Sequence, residues 1–106
     1  MDDEFNYDEG ISAIANKYGL VSQLRQLVEE CSELAVAASH SARTGNITVN
    51  LIEEIADVEI MIDQIKLLGQ IREGFVNELK EMKIRRQMDR MSSFNYEDCY
   101  MDKEGK

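Results

Sequence analysis

Residues 27–40 read LVEECSELAVAASH, and two glutamates in this stretch, Glu30 and Glu33, stand three residues apart beside apolar neighbours. Each helical residue turns the chain by about 100°, so positions three apart are neighbours on one helix face. The apolar period predicts a long helix from about residue 21 to about residue 42. Its expected apolar stripe comprises Leu24, Leu27, Val28, Cys31, Leu34, Ala35 and Ala38. The glutamate pair lies along one flank of that stripe.

A second stretch, NLIEEIADVEIMIDQIKLL at residues 50–68, repeats this arrangement with Glu54 and Asp57. It predicts a helix that is capped by Thr48 or Asn50 and ends near residue 68. The expected stripe here comprises Leu51, Ile55, Val58, Ile62 and Ile65. The second acidic pair lies on the same-handed flank. If the two helices pack antiparallel, four carboxylates converge on one point.

The rest of the chain is also helical in pattern. A short helix is expected over residues 7–18 before Gly19, a turn at Gly45 and Asn46, a break at Gly69, and a fourth helix over residues 71–90. Residues 91–106 show no clear period and are expected to form a tail. The sequence predicts one all-α domain over residues 1–106, with a short N-terminal helix within 1–19, core helices within 20–90 and the tail after them.

Composition narrows the possible functions. A net charge of −9 argues against binding a nucleic-acid polymer, because phosphate repels an acidic surface. No apolar run approaches the roughly 18 residues of a membrane span, and the acidic start lacks the basic residues of a secretory signal. Cys31 and Cys99 fit no metal or redox spacing, and Cys31 is expected to pack as a small apolar group. We therefore expect a cytoplasmic protein in a reducing compartment, whose modest core favours an oligomer.

The two acidic pairs favour a metal ion. Crowded carboxylates repel each other in a partly dry site, and a divalent cation removes that repulsion. Oxygen ligands select Mg²⁺, with Mn²⁺ as the alternative, and the absence of His or Cys from both pairs disfavours zinc. The alternative interpretation is that Glu30, Glu33, Glu54 and Asp57 are ordinary solvated or salt-bridged helix acids. Glu29 and Glu53 precede one member of each pair and are either solvated, outer to the metal, or bases for water.

These two stretches together resemble the MazG-like, all-α nucleoside triphosphate pyrophosphohydrolases. The family signature is E-x-x-E, a spacer, then E-x-x-D, and Glu30-x-x-Glu33 and Glu54-x-x-Asp57 fill it with twenty residues between them. The resemblance covers about residues 19–86. It implies an oligomeric four-helix bundle, a homodimer or homotetramer. It also implies Mg²⁺-dependent hydrolysis of a (deoxy)nucleoside triphosphate to the monophosphate and pyrophosphate, with the four carboxylates holding the metal.

The resemblance also implies further site residues, because members of the family often have a K-x-x-R-like stretch on the fourth helix and a Gln near the nucleotide. Residues 80–90 hold five bases and two acids, and Lys83 and Arg86 share a face there, so they are candidates for phosphate binding or else solvated surface charges. Gln23 and His40 lie two helical turns from Glu30 and Glu33, and Met61 lies one turn beyond Asp57. All three are candidates for nucleotide binding, although His40 also fits a surface position and Met61 a core position. The chain has no tryptophan to stack on a base, which leaves the base identity open.

A second function class also fits the sequence. The acids and bases could form salt bridges between subunits of a non-catalytic helical oligomerisation module. A related possibility is a module that senses a nucleotide or metal without turnover. Turnover of nucleotides in the presence of Mg²⁺ distinguishes the enzyme from both.

Overall fold

A computed structural model of the chain describes residues 4–105, with side-chain environments through residue 92. Over this range the chain forms four α-helices and no strand, which confirms the all-α prediction. The helices are α1 Tyr7–Tyr18, α2 Leu20–Thr44, α3 Val49–Leu68 and α4 Glu73–Gly105. Helix α4 continues well past residue 90, where the sequence pattern predicted the tail to begin. None of the helices in the described range is both long and apolar enough to cross a membrane.

Local side-chain chemistry sets the helix ends. The side chain of Asn6 accepts a hydrogen bond from the Glu9 amide at 3.0 Å, and Thr48 Oγ1 accepts one from the Leu51 amide at the same distance. Thr48 is therefore the cap of α3, which settles the choice between Thr48 and Asn50. Gly45 ends α2 with φ 77°, a left-handed conformation that glycine adopts without steric cost, and its amide donates to the Ser41 carbonyl at 2.7 Å.

Helices α2 and α3 form an antiparallel hairpin joined by residues 45–48. The Gln23 side-chain amide donates a hydrogen bond to Gln64 Oε1, which pairs the start of α2 with the end of α3. Helix α1 packs on α3, where the Tyr7 hydroxyl donates to Asp63 Oδ2 at 2.6 Å. These three helices make one compact unit that ends at Ile71, and α4 belongs to a second unit that begins at Arg72.

The core of the three-helix unit is thin. Its buried apolar residues are Ile11, Ala15, Ala37, Leu51, Val58 and Met61. Buried polar residues accompany them, namely Gln23, Ser41 and Gln64. Only a little of the apolar surface of α2 is therefore covered by its neighbours.

The apolar stripe predicted for α2 is divided by the structure into two rows. Leu27 and Leu34 are half-buried toward α3, whereas Leu24 and Val28 remain 41% and 66% exposed. Cys31 is also exposed, so the expectation that it packs inside is wrong for this chain. The stripe is wider than the arc that one neighbouring helix covers, and its outer half is left without a neighbour in this unit.

The stripe of α3 divides in the same way. Leu51 and Val58 are buried as predicted, and Ile65 is half-buried. Ile55 and Ile62 are instead 41% and 39% exposed. Both helices of the hairpin thus carry apolar side chains that the described chain leaves in contact with solvent.

Candidate metal centre

Three of the four acidic residues singled out in the sequence meet in the hairpin. Glu30 and Glu33 extend from α2 and Glu54 from α3, and each offers a carboxylate oxygen within 4.8 Å of the other two. The antiparallel pairing of α2 and α3 creates this meeting, because it brings the middle of α2 to the first half of α3. The three-residue spacing places Glu30 and Glu33 on one side of α2. The antiparallel packing of α2 and α3 then brings Glu54 close to them.

Two of these carboxylates carry buried oxygens that lack a partner. Glu30 Oε1 and Glu54 Oε1 are shielded from solvent and accept no hydrogen bond from any described residue. The other oxygen of Glu30 accepts from the Gln26 amide at 2.8 Å. A buried anionic oxygen without a donor is costly, and a bound cation would satisfy both orphaned oxygens at once.

The electrostatics of Glu54 reflect the same crowding. Loss of solvent around its half-buried carboxylate raises the pKa of Glu54 above 4.5, and the negative charges of Glu33, Asp57, Glu30 and Glu53 raise it further. The protein alone thus disfavours the charged form of this group. A divalent cation among these carboxylates would oppose that effect.

Asp57 occupies a different position from the other three. It is exposed on the next turn of α3 and, within the described part of the chain, lies outside the group of converging oxygens. Its charge is nevertheless near enough to raise the pKa of Glu54. Asp57 is therefore adjacent to the candidate centre rather than part of its closest group.

A shallow depression of about 320 Å³ opens beside the carboxylates. Glu33 and Glu54 line it together with Ser32, Val36 and Asn50. Sequence reasoning missed these last three residues. A signal was present for Asn50, which lies one turn before Glu54 and so shares its side of α3. The depression offers hydroxyl, amide and apolar surface next to the acidic group.

The candidate nucleotide-binding residues occupy varied environments. Gln23 is buried, and its amide is engaged by Gln64 in the core. Met61 is also buried, with 6% of its surface exposed, and so belongs to the core, which was the other position that its spacing allowed. His40 is exposed on α2. None of these three is among the residues that line the depression.

The candidate phosphate-binding residues lie on α4, in the second unit of the chain. Lys83 and Arg86 are both exposed there. Arg85, between them, is held by Glu81 through an exposed ion pair of 2.8 Å one turn earlier. The basic character of this stretch is therefore partly offset by its own helix.

The centre as a whole is a set of hard oxygen donors beside a polar depression. Such donors suit Mg²⁺ or Mn²⁺ rather than a softer metal. In comparisons with known proteins, no protein-family model, no curated protein and no solved structure matches the chain.

Proposed function

We propose that this chain is a Mg²⁺-dependent nucleoside triphosphate pyrophosphohydrolase of the MazG-like type. It would cleave a (deoxy)nucleoside triphosphate to the monophosphate and pyrophosphate. The observation that carries the proposal is the convergence of Glu30, Glu33 and Glu54 within 4.8 Å, with two of their oxygens buried and unsatisfied. The double acidic motif, which resembles that family, gives the convergence its chemical interpretation.

The donor set fits the proposed metal. Glu30, Glu33 and Glu54 would hold Mg²⁺, with Mn²⁺ as a substitute, and Asp57 would contribute from the adjacent turn. When bound, the metal supplies positive charge between the carboxylates and a triphosphate and stabilises charge that develops on phosphate oxygens. Without such charge an acidic surface would repel the substrate.

The remaining residues of the proposed site act on the substrate itself. The depression beside Glu33 and Glu54 is the proposed place for the nucleoside, with Val36 giving apolar surface and Asn50 an amide that can donate or accept. Lys83 and Arg86 are the proposed sources of positive charge for the departing pyrophosphate. The proposed location is the cytoplasm, where free nucleotides are available, and the proposed assembly is a homodimer or homotetramer.

A panel of nucleotides tests the proposal. The purified chain is incubated with each dNTP and NTP plus Mg²⁺, and pyrophosphate and monophosphate are measured. We expect at least one nucleotide to give both products in equal amounts, with no activity after chelation. Glu54→Gln should lower the rate by at least about 100-fold, because it removes a carboxylate directly from the metal centre rather than from its surroundings.

Glu59→Gln is the matched control for that substitution. Glu59 is an exposed glutamate on the same helix and outside the converging group, so the variant should retain the rate of the parent chain. Equal loss of rate in both variants would show that the effect is not specific to the metal centre.

The apolar surface left exposed on the hairpin favours a second candidate, a non-catalytic oligomerisation or sensing module. The same panel separates the candidates. No turnover with any nucleotide and no change in melting temperature with Mg²⁺ would favour a purely structural role. Stabilisation by Mg²⁺ or a nucleotide without turnover would favour a sensor.

A further inference from the structure

Glu30 and Glu54 belong to the rows of residues through which α2 and α3 face each other. The row of α2 steps by three and four residues, and its members are buried or half-buried: Gln23, Leu27, Glu30, Leu34, Ala37 and Ser41. The row of α3 has the same spacing and comprises Leu51, Glu54, Val58, Met61, Ile65 and Leu68. Apolar residues ordinarily fill such positions in packed helices. Each glutamate therefore places a carboxylate at the seam of the hairpin.

Gln26 lies one helical turn before Glu30 and holds its carboxylate. The side-chain amide of Gln26 donates a hydrogen bond of 2.8 Å to Glu30 Oε2, and both residues are half-buried. An ionised carboxylate only accepts hydrogen bonds, so the amide nitrogen of Gln26, and not its oxygen, is turned toward Glu30. One of the two carboxylate oxygens of Glu30 is thereby fixed in place.

The other oxygen of Glu30 is the one available to the candidate metal centre. Glu30 Oε1 is shielded from solvent and accepts no hydrogen bond from any described residue. A glutamate side chain has several rotatable bonds, and ordering them costs free energy. Because a carboxylate is planar, a bond to Oε2 also restricts the direction in which Oε1 points. The amide of Gln26 thus orders the orphaned oxygen without contacting it.

The charge of Gln26 is as important as its hydrogen bond. A lysine at this position could also donate to Glu30, but its positive charge would offset the negative charge that attracts a cation. An amide orients the carboxylate and adds no charge. Among the side chains that the structure describes, Gln26 is the one that donates a hydrogen bond to the converging group of Glu30, Glu33 and Glu54. Groups that orient metal ligands by such hydrogen bonds commonly strengthen metal binding.

We propose that Gln26 is a positioning residue of the metal centre. By holding Glu30 Oε2, it directs Glu30 Oε1 toward a divalent cation and leaves the negative charge of the centre intact. Gln26 contacts neither the cation nor the substrate. It lies outside both acidic motifs, so this role goes beyond the proposed function. The role rests on the metal centre of that function, but not on turnover of a nucleotide.

The competing role for Gln26 is a purely structural one. Polar side chains one turn apart stabilise a helix slightly wherever their groups form a hydrogen bond. In that case, loss of the amide would lower the melting temperature by the same amount with and without a metal ion. Positioning predicts instead that the affinity for the cation falls. The two roles are therefore separated by measuring metal binding and metal-free stability on the same variants.

Binding of Mn²⁺ in the absence of nucleotide measures the role of Gln26 directly. Electron paramagnetic resonance of free Mn²⁺ gives the dissociation constant, and competition with Mg²⁺ shows whether both ions occupy one centre. Gln26→Met keeps the length of the side chain but has no N–H donor, so it should weaken Mn²⁺ binding by about 10-fold or more. Far-UV circular dichroism establishes that the variant remains helical.

Asn16→Leu is the matched control for Gln26→Met. The Asn16 amide also donates to a side chain one turn earlier on its helix, Ser12 Oγ at 3.2 Å, but it lies on α1 and outside the converging group. Its replacement likewise removes an amide donor with little change in side-chain size. This variant should bind Mn²⁺ as the parent chain does.

Gln26→Lys tests the requirement for a neutral donor. Its positive charge should raise the melting temperature of the metal-free protein, because it relieves the repulsion among the carboxylates. The same charge should weaken Mn²⁺ binding at least as much as Gln26→Met does, because it repels the cation. Mn²⁺ binding by Gln26→Lys as tight as that of the parent would contradict the requirement for a neutral group.

The outcomes distinguish the positioning role from the proposed function. Equal Mn²⁺ affinity in Gln26→Met and the parent would overturn the positioning role without contradicting the metal centre, and so would an equal loss of affinity in Asn16→Leu. A parent chain that binds no Mn²⁺ would overturn the role and the proposed metal-dependent function together. Mn²⁺ binding that Gln26→Met weakens, in a chain that hydrolyses no nucleotide, would support the role and contradict the proposed hydrolase alone.

Discussion

At the scale of single residues, Glu54 is the acid of the candidate centre whose pKa is clearly raised by its surroundings. Loss of solvent and four neighbouring acids raise its pKa above 4.5, so the folded chain binds the proton more tightly than the unfolded chain does. The stability contributed by protonated Glu54 is present below pH 4.5 and is lost as the pH rises through the raised pKa. Metal-free protein should therefore lose stability over this range, and Mg²⁺ should restore it above the range by binding the charged carboxylates.

Melting temperatures of the parent chain and Glu54→Gln, measured with chelator and with Mg²⁺ across this pH range, check that prediction. Glu54→Gln should melt higher than the parent in chelator above the raised pKa and should gain less from Mg²⁺. Glu59→Gln should behave as the parent does. An identical response of parent and Glu54→Gln to Mg²⁺ would contradict a cation at this centre.

Residue types and spacing predicted the acidic pairs but not their individual roles. The sequence treats Glu30, Glu33, Glu54 and Asp57 alike, whereas the structure brings only the first three within 4.8 Å. Glu54 and Asp57 are three residues apart and so differ by about 60° around α3, and the structure has the first half-buried and the second exposed. Gln23 shows the same limit, because its partner Gln64 is forty-one positions away and no local pattern connects them.

At the scale of helices, a side-chain cap fixes the start of α3. Thr48 Oγ1 accepts the Leu51 amide, and Glu54 follows on the next turn of the same helix. Thr48→Ala should lower the free energy of unfolding by about 1 kcal/mol, because an amide at the helix start loses its acceptor. Asn50→Ala, at the other position that the sequence offered as a cap, should change it by less. Urea denaturation of the two variants measures both values, and a larger loss for Asn50→Ala would contradict the assigned cap.

The docking of α1 on α3 gives a second prediction at this scale. The hydrogen bond to Asp63 and partial loss of solvent raise the pKa of Tyr7 to about 12. The bond stabilises the fold below pH 10, the ordinary tyrosine value, and that contribution is lost as the pH rises through 12. Since Tyr7 is 42% exposed, Tyr7→Phe should cost only about 0.5–1 kcal/mol at pH 8.

Spectrophotometric titration near 295 nm measures the pKa of Tyr7 as the difference between the parent and Tyr7→Phe. Tyr18→Phe is the control, because Tyr18 is also exposed and lies at the other end of the same helix. A Tyr7 that ionises at or below pH 10, the ordinary tyrosine value, would show that its hydroxyl is not held by Asp63.

The positions of the first three helices could be predicted from the sequence, but which of their side chains neighbouring helices bury could not. Apolar period and turn residues gave α1, α2 and α3 within a few residues, because both signals are local. The apolar period of a sequence does not show which part of a wide apolar stripe a neighbouring helix will cover. It therefore assigned Leu24 and Leu27 of α2 to one buried face, whereas the structure half-buries Leu27 and leaves Leu24 exposed. The extension of α4 to Gly105 was also missed, since a helix without an apolar period gives no local signal.

At the scale of the whole molecule, the small core and the many exposed apolar side chains have one cause, because the described helices cover only part of their apolar surfaces. Among the described residues, the three-helix unit buries six apolar side chains, which is little for a unit that extends to Ile71. Association of the kind proposed above would bury more apolar surface and would add to the stability of so small a domain. Folding of this chain should therefore depend on its concentration.

The melting temperature of the parent chain should rise with protein concentration, because unfolding of a dimer releases two chains and mass action opposes it. Val28→Glu should melt lower and at a temperature independent of concentration, because it places a charge among the exposed apolar side chains of α2 that the proposed homo-oligomer would cover. Val36→Glu, equal in charge and on the same helix, should keep the concentration dependence of the parent. Differential scanning calorimetry over a hundredfold range of concentration measures all three. A parent chain whose melting temperature stays constant over that range would mean that the six buried apolar residues and their polar neighbours suffice for folding, and it would contradict the proposed homo-oligomer.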